Sequence, residues 1–526
     1  MIKKDLLKWL QENKIEGKIE HPSITKFGDY AVRTGKPVEN LTKNNIVEKT
    51  EFMAGFTNIW LKANVLVKET EKVGSEDWKK SLAENGQGKT MVIDYSAPNI
   101  AKAFGIGHLR STDIGQAIYN IYEILGWKCI GDNHLGDWGT QFGKLIVAIK
   151  KWGEKPVEEM SIDDLETLYV KFHKEAEVDK KLDDEARDWF SKLENKDIEA
   201  TEIWQKCIDI SLKEFDQVYK LLGVKIDYAL GESYYLDKMP AIVKLMEDKG
   251  ILKNSEGAKI IEFNNMPPAM VMKSNETTTY FLRDMATVKY RLDTWNPNLI
   301  IYEIGADQEL HCRQIFAASK LLGWTPQFYN MAHGMIRWKD GKFSTRHGET
   351  IHLSEVIDKA MEEAKKIAPD NDENKIKAVA IGAIKFNDLN QDPKRDIIFD
   401  WEKVMSMEGN SGPYLQYTYA RCQSVLNKSQ KTAKIDYEGK FELEEENLLR
   451  EFYKFEEKII EAAERFSPAV VAEYLIGLAR KYNEFYGKFR VIGEESEEQR
   501  LFLTERTAKI LKLGLDILGI ETMEKM

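Results

Sequence analysis

The chain has 526 residues, 43% of them hydrophobic and 31% charged, with a formal net charge of −11. That length exceeds what one hydrophobic core serves, so several domains are expected, and the apolar content without any long low-complexity tract excludes extensive disorder. The acidic balance excludes a protein that coats DNA or RNA indiscriminately, because such binding is summed phosphate neutralisation; a folded RNA held by local basic and aromatic patches stays compatible with it.

Met1 to Glu12 is amphipathic, with Asp5 and Lys8 interrupting its apolar residues, so it does not read as a signal peptide, and no later segment resembles a membrane span. The four cysteines, Cys129, Cys207, Cys312 and Cys422, lie far apart without a C-x-x-C pair, which argues against a disulfide framework and a zinc ribbon. A reducing, cytoplasmic setting is expected, with no membrane and no DNA partner.

Residues 1–87 read as a small N-terminal domain of mixed α+β character, ended by the linker Gly86-Gln87-Gly88. Thr90 to Ser96 then predicts a strand, Leu109 to Leu125 a helix with apolar residues at Ile114, Ala117, Ile118, Ile121 and Tyr122, and Lys128 to Leu135 a second strand. A second strand–helix–strand unit runs through Leu299 to Ile304, Glu309 to Leu322 and Gln327 to Met331. Two separated units predict a nucleotide-binding parallel sheet over residues 88–352, split by an insertion at 151–260 that is helical with a small β element near Ile260 to Met272. From Leu353 to Met526 the pattern is almost entirely helical, with stripes such as Val470, Val471, Tyr474, Leu475 and Leu478. The expected class is therefore α/β plus all-α.

Asp94-Tyr95-Ser96-Ala97-Pro98-Asn99 closes the first strand, and Gly105-Ile106-Gly107-His108 opens the helix after it, a geometry that presents backbone N–H groups to phosphate. His108 sits in the first turn, where its ring can donate to a phosphate oxygen. A lone histidine there is more often a structural cap than a catalyst, so its surroundings must decide. Two decoys fail: Arg110 occupies the third glycine position of a dinucleotide fingerprint, and Ala83 replaces the first glycine of a P-loop around Gly88-Lys89-Thr90. Gly305-Ala306-Asp307 closes a later strand where a carboxylate can accept from ribose hydroxyls, and Lys339 to Gly348 forms a Lys/Gly/Ser loop whose cations suit a departing pyrophosphate.

The block from Val92 to Gly143, SAPNIAKAFGIGHLRST followed by GDNHLGDWGTQFG, resembles the first signature motif of class I aminoacyl-tRNA synthetases in its arginyl form. Lys339 to Gly348, KDGKFSTRHG, is similar to the second. Gly105 stands where the wider class has its first histidine, and Thr345 where it has its second lysine. The resemblance spans nearly the whole chain and implies a Rossmann-type catalytic domain with a helical insertion, a helical anticodon-binding domain over 353–526, and, from segments such as Phe27 to Ala31 and Gly55 to Ile59, an N-terminal domain of the kind that engages the tRNA elbow.

The activity implied is ATP-dependent coupling of arginine to tRNA(Arg) by a monomer, with Mg²⁺ accompanying ATP. The resemblance assigns catalysis to His108, Lys339, Lys342 and Arg346, and ATP contacts to Gly105, Gly107, His108, Gly305, Asp307, Met335 and Ser344. Asp284 and Glu232 would hold the guanidinium with Tyr280 as a wall, because only a fork of carboxylates matches that flat cation. Asp94, Asn99 and Gln308 would hold the α-amino and α-carboxylate end. Tyr414, Arg421, Tyr486 and Met526 would meet tRNA. No protein-held metal is expected. Gly105 and Thr345 motivate the alternative of a tRNA-binding paralogue without catalysis, and a ligase for another amino acid is the third reading.

Overall fold

Five parallel strands form the sheet expected within residues 88–352, in the spatial order Gln327–His333, Leu299–Gly305, Thr90–Asp94, Lys128–Asn133, Tyr228–Ala229. The computed structural model describes residues 2–12, 15, 17–22, 25–36, 45–275, 277–338, 351–367, 372–436 and 440–526. The inner strands are apolar without alternation, as strands covered on both faces must be, and Met91, Val92, Ile93, Ile300 and Ile301 are fully buried. In register, Asp94 lies beside Asp132 and Tyr302, and Gly305 beside His333. The carboxyl edge of the sheet thus gathers the polar residues, where open parallel sheets bind ligands.

The helix Ile106–Ile124 follows the first strand and is buried without a break from Leu109 to Tyr119. It is enclosed because the sheet covers one side and the helical C-terminal region the other. Gly115 is fixed by that enclosure, since a Cβ there would lie 2.4 Å from the Tyr95 ring.

The insertion holds the helices Ile162–Val178, Lys181–Glu194, Ile198–Leu222 and Met239–Asp248, followed by a three-stranded antiparallel sheet of Lys253–Ser255, Ala258–Ile261 and Ala269–Met272. It also supplies the fifth strand of the main sheet, Tyr228–Ala229, which is too short and exposed to register as a pattern. Leu353, Val356 and Ala360 of the helix Leu353–Ile367 share one core with Leu145 and Phe172. A short strand, Ile397–Phe399, interrupts the otherwise helical region and pairs in parallel with Ile336–Trp338. No described helix is long and apolar enough to cross a membrane.

The N-terminal residues form an antiparallel sheet in the order Ile19–Glu20, Tyr30–Arg33, Phe56–Leu61, Val47–Met53. The Phe27 to Ala31 segment turns largely inward. Asp29 accepts from Leu61 N–H at 2.8 Å and pairs with Arg450, and Tyr30 donates to Glu457 at 2.5 Å. Gly28, at φ +102°, is required because a Cβ would sit 2.6 Å from the Ile59 carbonyl oxygen. These residues dock the N-terminal sheet on the C-terminal helices.

Candidate active site

The turn after the first strand is strained. Ser96, Ala97 and Ala101 all have positive φ, at 73°, 42° and 60°, conformations that persist only when the surroundings impose them. Here they do so by hydrogen bonds: Ser96 N–H donates to Ser111 Oγ, Thr112 Oγ1 donates to Ser96 Oγ, and Ala97 N–H donates to Asn133 Oδ1. Asn99 emerges exposed from this turn, its Oδ1 2.9 Å from where a Cβ on Gly136 would stand.

His108 caps its own helix, accepting from Gly105 N–H through Nδ1 at 3.3 Å. That bond fixes the tautomer and leaves the Nε2–H as a donor. Burial, with Lys102 and His333 adding to it, pushes its pKa down to about 4, so the ring is neutral near pH 7. Gly107 is exposed with open space where a Cβ would stand. Across the sheet edge, Gly305 and Asp307 approach closely, a Cβ on the glycine falling 2.6 Å from Asp307 Oδ1, and Asp307 and Gln308 face solvent. Met335 is 65% exposed, and its N–H is held by Asp396 at 2.9 Å. Lys339, Lys342, Ser344, Thr345 and Arg346 lie outside the described residues. Where the chain re-enters, it joins the His108 turn: Ile106 N–H donates to the Ile351 carbonyl at 3.0 Å, and Leu353 N–H to the Phe104 carbonyl at 2.8 Å.

A second side of the site is built on the helix Tyr280–Trp295. Tyr280, Asp284 and Arg291 fall on one face because four- and seven-residue steps return to the same stripe. Arg291 is fully buried and bridges neighbouring strand ends, donating from Nε to Asp132 at 2.8 Å and from Nη2 to Asp94 at 2.7 Å. One oxygen of Asp94 is therefore committed to an internal ion pair. Asp284 Oδ2 is gripped by His311 Nε2 at 2.5 Å, and His134 Nε2 stands 3.5 Å from Oδ1. Burial works to raise the Asp284 carboxyl, but His311 and the charges of His134 and Arg291 outweigh it and hold the group below its ordinary value.

Glu232 closes the opposite wall. It starts the short helix Glu232–Lys238, its N–H donates to the Leu135 carbonyl at 3.0 Å, and it accepts from Arg283 Nη1 at 2.6 Å. The Arg283 guanidinium lies 4.4 Å over the exposed Tyr280 ring. Burial pushes the Glu232 carboxyl up to about 7, against the pull of Arg283 and His134. Asp137 fixes this wall through Ser233, and Gly231 is obligatory beside it, since a Cβ would overlap Asp137 Oδ2 at 2.1 Å. Several buried polar atoms here have no protein partner: both ring nitrogens of His134, the hydroxyls of Tyr235 and Tyr302, and Arg283 Nε. Buried polar atoms of this kind call for a partner, which water or a polar ligand can supply.

The description "tRNA synthetases class I (R), catalytic domain" matches residues 72–401, and "DALR anticodon binding domain" matches 415–526. The chain is 39% identical to a protein of Clostridium botulinum strain Okra named arginine--tRNA ligase, covering 98% of this chain and 97% of the relative, and 39% identical to its namesake from Halothermothrix orenii over the same shares. The chain belongs to the class I arginyl-tRNA synthetase family. Its fold matches the crystal structure of arginyl-tRNA synthetase from Plasmodium falciparum with a TM-score of 0.83 at 24% identity, over 100% of this chain and 98% of that one.

The synthetase carries a second candidate surface on its C-terminal helices. A cavity of about 780 Å³ opens between the helices Gly412–Lys428 and Ala469–Lys488, lined among others by Arg421, Tyr486 and Met526. Arg421 lies between two rings, 4.8 Å from Tyr417 and 5.1 Å from Tyr486, and donates to Asn483. Tyr414, expected beside them, is buried and its hydroxyl accepts from Asn483 Nδ2 at 2.9 Å, because it falls on the core face of its helix. It does not reach the cavity, and Tyr417, one turn before Arg421, takes its place.

Sequence reasoning missed the supporting residues of the synthetase: Arg291, Asp132, His134, Arg283, His311 and Arg110. Arg110, read only as a failed glycine, is buried and donates to Asp388, to the Gly334 carbonyl at 2.8 Å and to the Arg395 carbonyl at 2.8 Å. It ties the His108 helix to the loop that carries Met335. The helical stripe from Tyr280 pointed to Arg291, and His134 stood inside the GDNHLGDWG block.

Proposed function

We propose that this chain activates L-arginine with ATP and transfers the arginyl group to the 2′-hydroxyl of the terminal adenosine of tRNA(Arg). The observation that carries this reading is the pair of acids Asp284 and Glu232, which share His134 as a neighbour and are held by His311 and Arg283 respectively. Arginine supplies a flat, permanent cation of the shape such a fork accepts.

In the first step an arginine carboxylate oxygen attacks the α-phosphorus of ATP, and the bond to the bridging oxygen breaks, releasing pyrophosphate. Mg²⁺ enters with ATP as part of the substrate. Asn99 and Gln308 orient the α-amino and α-carboxylate end, with Asp94 aligned through Arg291. Gly105 and Gly107 allow the phosphates close to the backbone, and the Nε2–H of the neutral His108 donates to the phosphate oxygen that gains charge. Lys339, Lys342 and Arg346 balance the leaving pyrophosphate. In the second step the 2′-hydroxyl attacks the acyl carbon and AMP departs with the carboxyl oxygen it received. Positioning supplies most of the acceleration. The Tyr417–Arg421–Tyr486 cluster receives anticodon bases, which stack on rings and on guanidinium planes.

The test is tRNA charging with arginine against lysine and citrulline. Charging by arginine, with each competitor rejected by about 10³-fold or more, is expected of a buried guanidinium fork. Equal use of citrulline, which lacks the charge, would refute it.

A further inference from the structure

Asp284 can serve a guanidinium only if one carboxylate oxygen faces the cavity and stays free of internal bonds. The geometry does this with two imidazoles used unequally. His311, in the first turn of the helix Glu309–Leu321, grips Oδ2 at 2.5 Å, while His134 stops at 3.5 Å from Oδ1 without a hydrogen bond. His311 thus fixes the carboxylate's rotation and leaves Oδ1 toward His134, which stands beyond hydrogen-bond reach.

We propose that His311 is a positioning residue for arginine selection, which turns Oδ1 of Asp284 toward the incoming guanidinium and carries the positive charge that the guanidinium replaces. This rests on the reading that Asp284 holds arginine. The exchange balances: the charged imidazole gives one proton to solvent, keeps its Nε2–H on Oδ2, and arginine brings one positive charge to Oδ1. The group that acts on His311's charge is Asp284 of the helix Tyr280–Trp295, through both its hydrogen bond and its charge, and Phe281 of the same helix packs its ring 6.4 Å from the imidazole. Burial works to lower the His311 pKa, but the hydrogen bond and charge of Asp284 outweigh it and raise it. The charged form therefore persists to higher pH than in a free histidine and gives way to the neutral form as pH rises further.

The experiment measures arginine binding by calorimetry and the KM values for arginine and ATP in tRNA charging, from about pH 6 to about pH 8.5 across the histidine range. In the parent protein, affinity for arginine rises with pH and binding releases a proton. His311→Gln keeps a donor on Oδ2 that does not titrate; it retains arginine binding within about threefold of the parent's high-pH value and loses the pH slope. His311→Leu raises the arginine KM about 10- to 100-fold, with ATP KM and kcat moving less than about threefold. An arginine KM within twofold of the parent in His311→Leu, a parallel rise in ATP KM, or a pH slope that survives in His311→Gln overturns the proposal. Asp284→Asn separates the two levels: unchanged arginine binding in that variant overturns the pocket reading itself, whereas weakened binding there with none in His311→Leu overturns only the role of His311.

Discussion

Around the helix Tyr280–Trp295 the acids Asp284, Glu232, Asp94 and Asp132 are each withdrawn from solvent against a histidine or arginine of the protein, whereas in the C-terminal cavity Lys428, Lys488, Arg490 and Lys525 face water. The difference teaches how each region earns selectivity. A desolvated acid is costly unless a cation of the right shape meets it, so under the proposed function a few residues decide between arginine and its analogues. Exposed cations attract RNA additively, are screened by salt, and leave discrimination to the rings beside them.

The contrast breaks if buried and exposed variants cost alike. The largest effect is expected at Arg291→Met, which leaves Asp94 and Asp132 buried without their shared cation; chemical denaturation should show a loss of about 3–5 kcal/mol. If stability is unchanged, water must already compensate those acids. Next comes His108→Asn, which removes the neutral donor aimed at the phosphate; pyrophosphate exchange should slow by about 100-fold with arginine binding intact. Because that ring charges only as pH falls to about 4, the parent's exchange rate should show no His108 titration between about pH 5.5 and pH 8. Tyr486→Ala removes one of the two rings around Arg421 and should raise the KM for tRNA about tenfold, with arginine KM unmoved. The smallest effect is at Lys428→Ala, a change in tRNA KM of about two- to threefold that fades at high salt. A Lys428 effect as large as that of Tyr486 would reverse the roles assigned to charge and stacking in the cavity.

The scaffold was largely legible because its signals are local. Thr90 to Asp94 and Leu299 to Gly305 read as buried strands since both faces are covered, and the turn at Ser96 to His108 is contiguous in sequence. The acids Asp284 and Glu232 came from resemblance, and their partners were hidden. Arg291 meets Asp132 across 159 positions, His311 meets Asp284 across 27, and Arg110 meets Asp388 across 278, and no periodicity announces such pairs. The inward turn of Asp29 and Tyr30 was missed for the same reason, their partners Arg450 and Glu457 lying more than four hundred positions away. Tyr414 and Tyr417 share a helix and a residue type, and only packing tells which face is core.

The most direct test is a crystal structure of the protein with arginine bound. The account predicts the guanidinium between Asp284 Oδ1 and Glu232, His311 still on Oδ2, and the substrate carboxylate directed toward the His108 turn. Arginine found elsewhere, or Glu232 and Asp284 still fully engaged with Arg283 and the two histidines while the substrate lies outside their reach, would contradict it.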